Sequence, residues 1–107
     1  MKTFEKIKKQ ISNNPVILYM KGSPTNPKCG FSDKAAKILI SCKVKFIYIN
    51  VLNNPDIREY LPKYSNWPTF PQLWINGELI GGYDILYHMY CNKELNNILI
   101  KNNLIKN

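Results

Sequence analysis

Trp67-Pro68-Thr69-Phe70-Pro71-Gln72-Leu73-Trp74-Ile75-Asn76-Gly77-Glu78-Leu79-Ile80-Gly81-Gly82-Tyr83-Asp84 is the stretch from which the architecture of this 107-residue chain is read. Two prolines so close together deny a helix over 67–71, because each lacks an N–H and pushes the residue before it toward extended backbone. Gln72–Ile75 then reads as a strand. Asn76-Gly77 is the strongest short hairpin signal, since both residues tolerate the positive φ that a tight hairpin turn requires. The spacing therefore predicts that Gln72–Ile75 pairs antiparallel with 78–80. Gly81-Gly82 ends the hairpin, and a helix is expected near Tyr83, with Asp84 as its cap or in its first turn.

Working outward, Val16–Met20 is a β-rich run that stops at a loop full of breakers, Gly22, Pro24, Asn26 and Pro27. A helical pattern follows from about Gly30, with Phe31, Ala35, Ile38, Leu39 and Cys42 on one stripe, so Cys42 reads as a core residue. Residues 45–50 alternate as a strand, Phe46, Tyr48 and Asn50 opposite Ile47 and Ile49. Pro55 opens another helix, whose positive end suits Asp56. Thr3 is expected to cap a first helix that turns Phe4, Ile7 and Ile11 to one side and ends near Asn13-Asn14-Pro15. A last helix directs Leu95, Ile98 and Leu99 inward, with Ile105 beyond it. Strands joined by a helical crossover run parallel and the hairpin antiparallel, which predicts one mixed four-stranded sheet with helices on both faces. This is an α/β chain of thioredoxin-like layout, a single domain over 1–107.

The net charge of +8 rests on 15 basic against 7 acidic residues, but Arg58 is the only arginine and the lysines are scattered from Lys2 to Lys106. Without a basic block or an aromatic-basic alternation, nucleic acid is not the expected partner. No apolar run approaches the length of a membrane span, and the first ten residues are too charged for a signal peptide. Three cysteines without paired spacing fit a reducing compartment, so a cytoplasmic location is expected.

Cys29 stands alone in Cys29-Gly30-Phe31-Ser32, where a dithiol redox site would carry a second cysteine at position 32. It falls at the expected start of a helix, where free N–H groups and the positive dipole end favour an anion. Lys28 and Lys21 are expected to add positive charge, and a lowered thiol pKa follows. Cys91, His88, Trp67 and Trp74 read as incidental or structural.

Lys21-Gly22-Ser23-Pro24, Cys29-Gly30-Phe31-Ser32, Trp67-Pro68-Thr69-Phe70-Pro71-Gln72 and Gly81-Gly82-Tyr83-Asp84 together resemble, in order and spacing, the signatures of monothiol glutaredoxins in their short, single-domain bacterial form. The resemblance implies a glutathione site on Lys21, Arg58, Phe70, Tyr83 and Asp84. Lys21 and Arg58 would face the glycine carboxylate. Phe70, before a Pro71 expected to be cis, would offer its backbone to the central cysteine. Tyr83 and Asp84 would hold the γ-glutamyl end. Tyr83 departs from the cysteine that many relatives carry there, which removes a thiol able to resolve a disulfide with Cys29.

The resemblance also implies a [2Fe–2S] cluster bridging two subunits, each giving Cys29, with two glutathiones completing four thiolates. The function expected is iron–sulfur cluster assembly and transfer as a homodimer, with a BolA-like protein and iron–sulfur apoproteins as partners. The alternative is a glutathione-dependent thiol–disulfide oxidoreductase that removes glutathione from mixed disulfides. Against it, the segment 25–28 lengthens the loop before Cys29 relative to dithiol relatives.

Overall fold

The structure, a computed structural model, describes residues 2–106. Helix α1 (Lys2–Asn13) leads into β1 (Val16–Met20), followed by a two-residue-stranded hairpin, β2 (Gly22–Ser23) and β3 (Asn26–Pro27). Then come α2 (Gly30–Ser41), β4 (Ile47–Asn50), a single 3-10 turn (Val51–Asn53), α3 (Pro55–Ser65), β5 (Gln72–Ile75), β6 (Glu78–Gly81), α4 (Tyr83–Cys91) and α5 (Glu94–Lys101). The main sheet has the order β4-β1-β5-β6, with β1 parallel to β4 and antiparallel to β5. This is the mixed, thioredoxin-like sheet that the sequence predicts.

β1 is buried along its whole length because it lies inside the sheet and feeds both cores. Val16, Leu18 and Met20 pack with Ala35, Leu39, Leu86, Leu95 and Leu99 on the side of α2, α4 and α5. Ile17 and Tyr19 point the other way and pack with Ile7, Ile11, Ile57 and Leu61 of α1 and α3. Tyr19 carries its hydroxyl into that core, where it donates to Gln10 Oε1 at 2.8 Å. Burial, with a smaller contribution from Tyr64, pushes its phenol far above the usual range. A Lys6–Asp56 ion pair at 3.0 Å ties the exposed faces of α1 and α3.

Three local expectations are corrected. Thr3 lies inside α1 rather than capping it, since the helix already includes Lys2. Phe31 leaves the apolar stripe of α2 and is 57 % exposed, because the helix turns its Ser32, Ala35, Ala36 and Leu39 face to the core. The breaker-rich loop after β1, for which no strand was expected, folds back on itself as the β2–β3 hairpin.

Candidate functional site

The site begins where β1 runs out. Gly22 adopts φ +92°, and a Cβ there would sit 2.6 Å from Asn26 O and Lys28 N, so only glycine lets the β2–β3 hairpin close this tightly. Lys28 N–H donates to Lys21 O at 3.0 Å across the neck of that hairpin. The Asn50 side-chain oxygen, at the end of β4, accepts the Gly22 N–H at 2.9 Å and the Leu52 N–H at 3.0 Å. The loop that presents Cys29 is thus held to the sheet. Nothing in the sequence singled out Asn50, because it acts across 28 positions.

Cys29 is half-buried and stands at the N-cap of α2 in extended backbone, φ −152° and ψ 134°. Its sulfur closes no full capping hydrogen bond, yet the backbone N–H groups of Ser32 and Phe31 and the Ser32 hydroxyl face it. Burial pushes the thiol up, but these donors and the Lys21 charge outweigh it, and the pKa falls below the ordinary thiol value. Lys21 supplies the charge, whereas Lys28 is exposed and adds none. Ser32, read from sequence only as an absent cysteine, is fully buried, and its oxygen accepts the Lys21 N–H at 3.0 Å. A serine hydroxyl accepting one bond still has its proton to donate, and the Cys29 sulfur faces it.

Two adjoining hollows lie here, and Cys29 lines the first. One, of about 480 Å³, is lined by Lys21, Cys29, Arg58, Thr69 and Phe70, with Pro62 and Pro68 at its sides. The other, of about 390 Å³, continues past Phe31 and Phe70 to Trp67, Gly82, Tyr83 and Asp84. All six site residues named from sequence therefore border one continuous surface. Neither Lys21 nor Arg58 belongs to an ion pair among the described residues, so both cations face the hollow without a protein carboxylate. At the far end Asp84 is exposed in the first turn of α4.

The wall between the hollows is fixed by a residue the sequence left unassigned. Gln72 is fully buried; its amide donates to Trp67 O at 2.9 Å and Thr69 O at 3.3 Å, while its oxygen accepts the Trp74 Nε1–H at 3.2 Å. These bonds clamp 67–71, and the Phe70–Pro71 peptide is cis as expected. Trp67 is corrected from a purely structural role: it borders the second hollow, and its buried indole N–H has no partner within the protein. Gly82 passes close beside it: a Cβ there would meet Pro71 O tightly, at 3.3 Å, and Trp67 Nε1 in ordinary contact at 3.6 Å. On the outer wall the Tyr83 ring lies 5.9 Å from Phe31 and 5.8 Å from Tyr87, with Lys34 Nζ 5.6 Å from its centre.

Residues 16–80, which span β1 through most of the hairpin, match the protein family described as Glutaredoxin. The chain belongs to the glutaredoxin family. It is 60 % identical over 99 residues to "Glutaredoxin 4" of Haemophilus influenzae (strain 86-028NP), which covers 92 % of each chain. A solved structure of reduced poplar apo GrxS14 superposes with a TM-score of 0.78 at 41 % identity, covering 91 % of this glutaredoxin and 89 % of that chain. A buckwheat glutaredoxin–glutathione complex shares the fold, with a TM-score of 0.85 over 97 % of this chain and 93 % of that one at 20 % identity. Among the described residues of this glutaredoxin, no three of His, Cys, Asp and Glu converge as a metal-binding group. Cys42 is buried, and Cys91 and His88 are exposed on α4 away from the site's lining.

Proposed function

We propose that this glutaredoxin is of the monothiol type: it binds glutathione and takes part in iron–sulfur assembly and transfer, with a [2Fe–2S] cluster as cargo bridging two subunits. The observation that carries the reading is that Cys29, whose anion is favoured, is the one thiol lining a hollow with two cations that lack an ion-pair partner among the described residues, with serine where a second thiol would stand. A [2Fe–2S] cluster takes four thiolates, and one chain offers one here. Two Cys29 and two glutathione thiolates complete the set. This donor count fits a cluster shared between copies.

The residues divide the work by charge. Lys21 and Arg58 bind the glycine carboxylate, Arg58 with a forked donor pair. Phe70 gives its backbone N–H and C=O to the peptide's centre, in the manner of an added strand. Asp84 holds the γ-glutamyl ammonium, while Tyr83 and the N–H groups opening α4 take its carboxylate. Because half the ligands are small and exchangeable, the cargo can be handed on to apoproteins, with a BolA-like protein as the further partner that the family resemblance implies.

The lowered thiol pKa also favours a second reading, glutathione-dependent disulfide reduction. In it the Cys29 thiolate attacks the glutathione sulfur of a mixed disulfide and the released protein thiolate takes a proton. A second glutathione thiolate then attacks the Cys29–glutathione bond, freeing Cys29 and oxidised glutathione. Anaerobic incubation with iron, sulfide and glutathione separates the readings. The carrier reading expects a coloured dimer for the native chain and a colourless product for Cys29→Ser. A colourless native chain that rapidly reduces glutathione mixed disulfides would overturn it.

A further inference from the structure

We propose that the open edge of β4, together with the lysine-rimmed groove at its start, docks an acidic, extended peptide segment of a partner protein. β4 pairs with β1 on one side and, among the described residues, has no strand on the other. Such an edge offers unpaired N–H and C=O groups to any extended chain, and proteins commonly defend it with charge, proline or a covering element. Here the first two residues of the strand, Ile47 and Tyr48, are 41 % and 44 % exposed.

At the start of the strand lies a groove of about 510 Å³, bounded by 14–16, 43–47 and the segment after α5. Val16, Phe46, Leu104 and Ile105 make its apolar walls. Lys43, Lys45 and Lys106 stand around it, and among the described residues no acidic side chain lines it. The same one-sidedness runs through the sequence: residues 34–55 hold four lysines and no aspartate or glutamate. The groove lies at the Val16 end of β1, whereas Cys29 follows its Met20 end, so the two sites are at opposite ends of the sheet.

Edge, groove and charge point to one occupant. The backbone edge calls for an extended chain, the apolar walls for an alternate hydrophobic side chain, and the lysines for carboxylates between them. A second copy of this chain would bring lysine against lysine, which disfavours self-pairing. A segment paired along β4 spans about 13 Å. It leads from the groove to Asn50, whose side chain holds the loop before Cys29, and leaves the thiol open.

The probe is a synthetic eight-residue peptide alternating glutamate and valine, titrated into the isotope-labelled protein while amide resonances are followed. Shifts are expected at 45–50 and 103–106, with binding weakened roughly tenfold in Lys43→Glu/Lys45→Glu and by added salt. The same peptide N-methylated at alternate residues keeps its charge but loses one pairing edge, and is expected not to bind. The proposal is overturned if shifts map to the Cys29 hollow, or if the N-methylated or a lysine–valine peptide binds equally well. It is also overturned if single-stranded RNA or anionic vesicles occupy the groove more tightly. Glutathione affinity of the double variant, expected unchanged, shows that the protein remains folded.

Discussion

At Ser32 one buried hydroxyl oxygen accepts the Lys21 N–H at 3.0 Å and keeps its proton for the Cys29 sulfur. Ser32→Ala removes both bonds. The Lys21 N–H then loses its partner, at a cost of about 1 kcal/mol in stability, and the thiol loses a donor to its anion. Because the folded-state pKa is lowered, thiolate predominates above it and thiol alkylation slows as pH falls through it. Ser32→Ala moves that midpoint upward, which a pH series of thiolate absorbance reads directly; an unmoved midpoint would show that the hydroxyl does not donate to the sulfur. Lys21→Ala and Arg58→Ala are each expected to weaken glutathione binding about threefold to tenfold, since both cations are partly open to solvent. Calorimetric titration with unchanged affinity in both variants would remove them from the site.

Among the elements, the β2–β3 hairpin and α5 make opposite demands. Gly22 has positive φ and backbone atoms 2.6 Å from where a Cβ would be, and those atoms belong to the chain that leads into Cys29. Gly22→Ala therefore opens the hairpin, and the expected result is a raised Cys29 pKa with only a modest fall in overall stability. Protection of the Lys28 amide from hydrogen exchange is the direct measure, and full protection would contradict it. Leu99 on α5 is fully buried in the larger core and contributes nothing to the lining of either hollow. Leu99→Ala should cost about 2–5 kcal/mol in denaturant unfolding while leaving the Cys29 midpoint where it is. A shift of both would mean that core and site are coupled.

For the whole molecule, the proposed cargo sets the assembly state, because a cluster holding one thiolate from each of two chains is also the link between them. Chelating the iron from the coloured form is expected to halve its mass in sedimentation, and a loaded species with the mass of one chain would rule out bridging. Much of the frame was legible beforehand. Asn76-Gly77 imposes a hairpin through local dihedral preference, the 67–71 prolines forbid a helix, and apolar periodicity sorts α2 from β1; all of these act within a few residues. The address of Cys29 at a helix N-terminus was legible for the same reason. Ser32 as a donor, Asn50 as the staple of the cysteine loop and Gln72 as the clamp of 67–71 were not, since each is a polar side chain whose partner is chosen by burial. Phe31 shows the same division from the apolar side: helical spacing put it on the core stripe, and only the packing of α2, which buries Ser32 beside it, left it facing solvent. The sequence by itself determined the order of elements and which thiol could react, because local backbone preference and the helix end belong to short stretches of chain. Only the tertiary structure decided which cations stand unpaired beside that thiol and which sheet edge stays open, because both depend on what the rest of the fold does or does not bring near.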